Sequence, residues 1–179
     1  VASMVSRTAL TYNAAGLISS STQTTAGKSF TFEYAYNAAF SLTSMTYPSG
    51  RTVFMEYDDA GREVRLYGQN GSNNKDYAGG TGVPVRYAPH GQVQSLRMGN
   101  GIEESRGYNS RLQLTRIQAG NLFSLSNCYQ ASDDSDCAQL ISIAANSGDV
   151  QGQKITRQGQ AWTQKYAYDA VDRLISASE

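Results

Sequence analysis

A tyrosine followed at once by a short turn recurs along this chain, and that recurrence constrains the fold more than any other feature. Six segments align on it: YNAAGLIS from Tyr12, YNAAFSLT from Tyr36, YDDAGREV from Tyr57, YAPHGQVQ from Tyr87, YNSRLQLT from Tyr108 and YDAVDRLI from Tyr168. The next position holds Asn13, Asn37, Asp58, Ala88, Asn109 and Asp169. Four positions after the tyrosine stand Gly16, Phe40, Gly61, Gly91, Leu112 and Asp172. Six positions after it stand Ile18, Leu42, Glu63, Val93, Leu114 and Leu174, apolar in all but one unit. Tyr36 to Tyr57 is 21 residues, Tyr87 to Tyr108 is 21, and a further 21 reaches Tyr129.

Each unit has a direct physical reading. Before the tyrosine, side chains alternate in the period of a strand: Phe32, Tyr34 and Tyr36 share one face, as do Val53, Met55 and Tyr57, and Val83, Val85 and Tyr87. Asn or Asp then opens a turn, because its short side chain can bond the backbone two residues on. Glycine supplies a positive φ at the end of the turn. Arg62, Gln92 or Arg173 begins the return strand, and the aliphatic residue behind it turns back toward the core. Each unit is therefore a β-hairpin with a tyrosine at its base. One hairpin is marginal in water, so repeated hairpins are expected to pair edge to edge. Phe40, Leu112 and Asp172 at the glycine position predict other turn types in those units.

The intervening stretches fit the same scheme. TYPSGRTVFMEY places Pro48-Ser49-Gly50 in a turn ahead of the strand at Val53. Asn100-Gly101 is a tight-hairpin signal between a strand ending at Met98 and one starting at Ile102. The polar run from Gly68 to Gly82 reads as a long loop. LFSLSNCY and QLISIAANSGDVQGQKI read as strands with an acidic loop between them, lengthening one hairpin. No internal domain boundary is legible. Residues 1–179 read as a single repeat array of about a dozen strands, ending in mid-pattern as if cut from a longer protein, with an edge open to pairing.

Composition agrees and excludes several functions. Lys+Arg and Asp+Glu are 15 each, so the net charge is zero, which argues against nucleic-acid and anionic-membrane partners. Tyrosine is high at 12 and proline low at 3, a composition leaning to all-β. No apolar run is long enough for a membrane-spanning helix, and the N-terminal stretch VASMVSRTALTYN lacks the order of a signal peptide.

YDDAGREVRL, YPSGRTVFMEYDDAGR, YAPHGQVQSLRMGNGIEESRGYNSRLQ and YAYDAVDRLISASE resemble the YD-repeat, or Rhs-repeat, family over nearly the whole chain. The resemblance implies an all-β fold of stacked antiparallel hairpins forming a curved spiral sheet, one segment of a β-shell. In bacterial members, Rhs polymorphic toxins and the C components of insecticidal toxin complexes, such a shell encloses a variable C-terminal toxin; teneurins use a related shell in adhesion. It implies a secreted or cell-surface, non-catalytic scaffold whose partners are flanking repeats and a C-terminal effector domain, with no cofactor. A carbohydrate- or cell-surface-binding module is the alternative. The motif residues that carry the resemblance are Tyr12, Tyr36, Tyr57, Asp58, Gly61, Arg62, Tyr87, Gly91, Tyr108, Tyr168, Asp169 and Arg173. The Asp-Pro-x-Gly core of the family's self-cleaving segment has no counterpart in this sequence, so no cleavage residue carries over.

Other candidate chemistry is sparse. His90 is the sole histidine, set in the turn APHG, where a surface turn residue is the expected role. No Gly-x-Ser-x-Gly elbow and no phosphate-binding loop is present. Asp133, Asp134, Asp136 and Asp149 make one acidic cluster without the spacing of a calcium loop, which reads as a solvated loop. Cys128 and Cys137 flank YQASDDSD; they can close a local disulfide or stand as two thiols in a loop. Trp162, with Tyr67 and Tyr77, is the candidate ligand-facing aromatic, since sugar rings stack on aromatic faces.

Overall fold

A computed structural model describes residues 6–70, 73–129 and 146–179. Among these residues the secondary structure is all strand: β1 (Arg7–Tyr12), β2 (Ile18–Thr25), β3 (Lys28–Tyr36), β4 (Leu42–Thr46), β5 (Thr52–Tyr57), β6 (Glu63–Asn70), β7 (Asn73–Ala78), β8 (Arg86–Tyr87), β9 (Val93–Arg97), β10 (Glu103–Tyr108), β11 (Leu114–Ala119), β12 (Phe123–Cys128), β13 (Gly152–Arg157), β14 (Gln160–Tyr168) and β15 (Leu174–Ser178). Two compact units result. One spans residues 1–85 with 98–100, the other residues 86–97 with 101–179.

The first unit is a seven-stranded sheet in the order β1 to β7, and the second an eight-stranded sheet in the order β8 to β15. Within each sheet every strand pairs antiparallel with its neighbours in sequence, as a run of short hairpins dictates. In each sheet the tyrosine turns occupy one end. The opposite end includes two tighter connections: Ala26-Gly27 and Gln158-Gly159 both have positive φ (50° and 76°; 50° and 80°), as a two-residue hairpin loop requires.

The two faces differ. Along β3, Phe32, Tyr34 and Tyr36 are half-buried, while Thr31, Glu33 and Ala35 are exposed. Along β14, Trp162, Gln164 and Tyr166 are half-buried and Ala161, Thr163 and Lys165 exposed. The face away from the repeat tyrosines carries cross-strand hydroxyl pairs, Thr22 with Thr31 at 2.9 Å, Thr24 with Ser29 at 2.9 Å and Thr46 with Thr52 at 3.0 Å. Burial is shallow. Among the described residues the buried apolar side chains are Val53, Ala88 and Cys128, and no large side chain is fully enclosed.

Three sequence expectations are corrected. The run from Gly68 to Gly82 is not one long loop. It contains the end of β6 and all of β7, paired in register from Tyr67 opposite Asp76 to Asn70 opposite Asn73. Its Gly, Asn, Ser and Lys residues have poor strand propensity, but pairing against β6 outweighs that preference. Val83 and Val85 are not in a strand, and β8 is only Arg86–Tyr87. Gly79, Gly80, Gly82 and Pro84 deny the preceding residues a ladder, and the Val85 amide is instead tied to the Val64 carbonyl at 2.8 Å. The expected single sheet of about a dozen strands is two sheets, and this Gly/Pro stretch lies between β7 and β8.

Candidate functional site: tyrosine turns and the bonds between repeats

The turns are superimposable in their hydrogen bonding. In the first, the Gly16 amide donates to the Asn13 carbonyl (3.0 Å) and the Asn13 amide to the Leu17 carbonyl (2.8 Å). The same two bonds close the turns Asn37–Ser41, Tyr47–Arg51, Asp58–Arg62, Ala88–Gln92, Asn109–Gln113 and Asp169–Arg173. The pattern is a type I turn followed by a left-handed residue, which bulges the hairpin. The register slips immediately before each of the six aligned tyrosines, Tyr12, Tyr36, Tyr57, Tyr87, Tyr108 and Tyr168.

The Asn or Asp after the tyrosine locks this turn. Asp58 Oδ1 accepts from the Ala60 and Arg62 amides at 3.0 and 2.9 Å. Asn13, Asn37, Asn109 and Asp169 accept the same pair of amides in their own turns. Where the residue is Asp, the second oxygen takes the arginine four positions on: Arg62 Nε lies 2.8 Å and Nη2 2.7 Å from Asp58 Oδ2, and Arg173 Nε 2.7 Å from Asp169 Oδ2. The Arg62 side chain, followed by its backbone amide, holds the Asp58 carboxyl below the ordinary carboxylate range. For Asp169 the Arg173 amide is the larger influence and its side chain the second. Both carboxylates serve the turn.

The tyrosines join one repeat to the next. The Tyr36 hydroxyl donates to the Ile18 carbonyl (3.0 Å), Tyr57 to Leu42 (2.7 Å), Tyr108 to Val93 (2.7 Å), Tyr129 to Leu114 (2.9 Å) and Tyr168 to Val150 (2.9 Å). In the first four the acceptor is the aliphatic residue six positions after the previous repeat tyrosine. Tyr129 is thus a full member of the series. Val150 fills the acceptor place after the long insertion, so the ladder continues across it. Burial raises the phenol pKa of Tyr57, Tyr129 and Tyr168 above the ordinary value. Tyr12, on the outer edge of β1, has no acceptor among the described residues.

Phe40, Leu112 and Asp172 do not mark different turns. Their φ values are 63°, 63° and 59°, in the same left-handed region as Gly16 (78°), Gly61 (75°) and Gly91 (88°). Closing the turn overrides the local preference of these side chains.

Trp162 lies on the half-buried tyrosine face, in register with Ile155 on β13. The same face carries a polar chain: the Tyr166 hydroxyl bonds Gln153 (2.8 Å) and Gln164 (2.7 Å), Gln153 bonds Asn127 (3.0 Å), and Asn127 bonds the Leu114 carbonyl (2.9 Å). Tyr67 stacks on Phe54 (5.1 Å, 17°), and the Arg51 guanidinium lies over Tyr77 at 5.1 Å. Cys128 is buried at the end of β12; Cys137, Asp133, Asp134 and Asp136 lie outside the described residues. His90 is half-buried, not a surface residue, with its ring edge-on to Tyr108 at 4.7 Å and its Nε2 without a hydrogen-bond partner among the described residues. No group of three potential metal ligands occurs among the described residues.

Two clusters escaped the sequence reading. Arg65 pairs with Asp76 (2.7 Å) and Glu56 (3.0 Å) while its guanidinium lies 4.2 Å from the Tyr67 ring centre. The hairpin register around Asp58–Arg62 places Glu56 opposite Arg65, so that half was recoverable; Asp76 was not, since its segment read as loop. In the second cluster, Arg111 Nη1 donates to the Asn146 carbonyl (2.6 Å) and Asn146 Nδ2 to Gln113 Oε1 (2.6 Å). Gln113 Oε1 also accepts from Asn109 Nδ2 (2.8 Å). This buried amide knot fastens the chain returning from the insertion to the Asn109–Gln113 turn.

Solved structures share this fold. The crystal structure of TcdB2-TccC3-Cdc42 matches with a TM-score of 0.77 at 17% identity over 97% of this chain. TcdB2-TccC3 without its hypervariable C-terminal region gives 0.76 at 17% over 97%, and the Photorhabdus luminescens Tc holotoxin pore 0.75 at 18% over 97%. The chain has the fold of these toxin-complex chains. It spans about 9% of the length of each. The all-β hairpin architecture implied by the YD/Rhs resemblance is thereby found in the structure. No protein-family profile and no curated protein matches the sequence.

Proposed function

We propose that this chain is a non-catalytic wall segment of a YD/Rhs-type shell that encloses or presents a C-terminal toxin or effector domain. In this reading residues 1–179 are one repeat array within a longer secreted or cell-surface protein, whose partners are flanking repeats and the effector. The observation that carries it is the use made of the recurrent polar groups. The Asn and Asp side chains are consumed in closing turns, and the tyrosine hydroxyls in joining hairpins, so the motif specifies a wall. The fold shared with toxin-complex chains supports the same reading. Trp162, the aromatic that a carbohydrate-binding module would use, sits half-buried in the tyrosine face.

The test uses the full-length parent protein. Intact-mass analysis of the purified protein should find a separate downstream polypeptide that stays with the repeats until denaturation. Repeats that purify with nothing retained count against the shell, and a glycan and surface-receptor screen then becomes the relevant experiment.

A further inference from the structure

Two tyrosines outside the bonding series between repeats surround one arginine. Tyr47, just past β4, and Tyr77, in β7, present their rings to the Arg51 guanidinium, at 5.9 and 5.1 Å from the ring centres. They reach it from the two sides of β5. Tyr47 lies across the turn that its own amide closes on the Arg51 carbonyl. Tyr77 extends over Gly68 of β6, the partner of Val53. Gly68 admits that ring, since a Cβ there would collide with the Tyr77 hydroxyl. A guanidinium held against ring faces keeps its N–H edges free for a ligand.

The polar groups gathered here are unspent. The Tyr47 and Tyr77 hydroxyls have no hydrogen-bond partner among the described residues, and the exposed Arg51 has no acidic partner there. The acids of the neighbouring strands lie elsewhere. Glu56 and Asp76 pair with Arg65 on the opposite face, and Glu63 stands opposite Tyr57 at the tyrosine-turn end of β6. Lys75, exposed and also without an acidic partner among the described residues, pairs with Gly68, so it shares the face of Val53, about 10 Å across the sheet from it. These residues lie in mid-chain, away from the outer edges of β1 and β15.

We propose that Arg51, Tyr47, Tyr77 and Lys75 form a binding site for a phosphate monoester. The guanidinium edge takes two phosphate oxygens side by side, the two phenols donate to the others, and Lys75 adds a second positive charge. Two cations match a phosphate monoester, which carries about −1.5 to −2 at neutral pH, better than they match a singly charged carboxylate. The guanidinium occupies the tyrosine rings, so the site recognises the anion and not a ring stacked on an aromatic face.

Phosphorus NMR titration of methyl phosphate with the 179-residue chain, at neutral pH and low salt, tests this. The expected result is a saturable shift of the methyl phosphate resonance that acetate reverses only weakly. Arg51→Gln should abolish the shift. Tyr77→Phe keeps the ring against Arg51, deletes one donor and should weaken binding about fivefold. Lys75→Gln should weaken it and flatten its dependence on salt. Circular dichroism verifies that each variant keeps its strands. A folded parent chain that gives no saturable shift, a shift indifferent to Arg51→Gln and Tyr77→Phe, or acetate that competes as well as phosphate would overturn the proposal.

Discussion

The Tyr57 hydroxyl donates to the Leu42 carbonyl at 2.7 Å, tying the hairpin β5–β6 to the hairpin before it. This bond links two units that share no turn, and four counterparts recur at Tyr36, Tyr108, Tyr129 and Tyr168. In sheets of shallow burial, such bonds fix which strand faces meet. Tyr57→Phe keeps the ring and deletes the bond. It should cost about 1 kcal/mol in urea unfolding, and an unchanged midpoint would mean that the hydroxyl contributes nothing to joining the repeats.

Alkaline pH should release three of these bonds, those of Tyr57, Tyr129 and Tyr168. The folded phenols of Tyr57, Tyr129 and Tyr168 titrate above the ordinary value because burial disfavours the phenolate. A folded pKa raised above the unfolded one means stability is fully present below about pH 10 and is lost as pH climbs through the raised values. Unfolding midpoints measured from pH 8 upward should fall beyond about pH 10, and ultraviolet titration should show a late-ionising group of tyrosines.

At the other end of the scale, Asp58 and Asp169 are depressed by their arginines and turn amides. Their contribution is present above the ordinary carboxylate pKa and disappears as pH falls through the lowered values. Asp58→Asn keeps the Oδ1 bonds and loses only the exposed Arg62 pair. At neutral pH it should be nearly silent, as Asn13, Asn37 and Asn109 already fill that place. Below about pH 4 the variant should lose less stability than the parent.

The left-handed position offers a test free of packing effects. A Cβ at Gly61 would meet no atom within 4 Å, so Gly61→Val registers backbone strain alone and should destabilise by about 1 kcal/mol or more. Phe40→Gly runs the other way. Phe40 is 62% exposed at φ 63°, and relieving its strain should raise the thermal midpoint. A fall in the midpoint would show that the Phe40 ring contributes packing that outweighs the strain.

Much of the fold was legible because strand alternation and turn chemistry are local. Phe32, Tyr34 and Tyr36 announced one face, and Asn13, Asn37, Asp58 and Asp169 their turns. What stayed hidden was non-local or tertiary. The acceptor of Tyr57 is a backbone carbonyl 15 residues back, which leaves no mark in side-chain identity. Leu112 and Asp172 looked like breaks in the motif because propensity penalises a left-handed side chain, yet the two closing bonds of the turn outweigh that penalty. Strand β7 was missed for the same kind of reason, since Asp76 finds its partners, Arg65 and the β6 ladder, only once the sheet exists.

The proposed wall is tested most directly by protease protection of the C-terminal effector domain that this reading expects in a longer parent protein. If these repeats are a container wall, that domain should resist cleavage at protease levels that digest it rapidly when expressed alone, and lose its protection only as the repeats unfold. Cleavage at the same rate in both settings would contradict the wall.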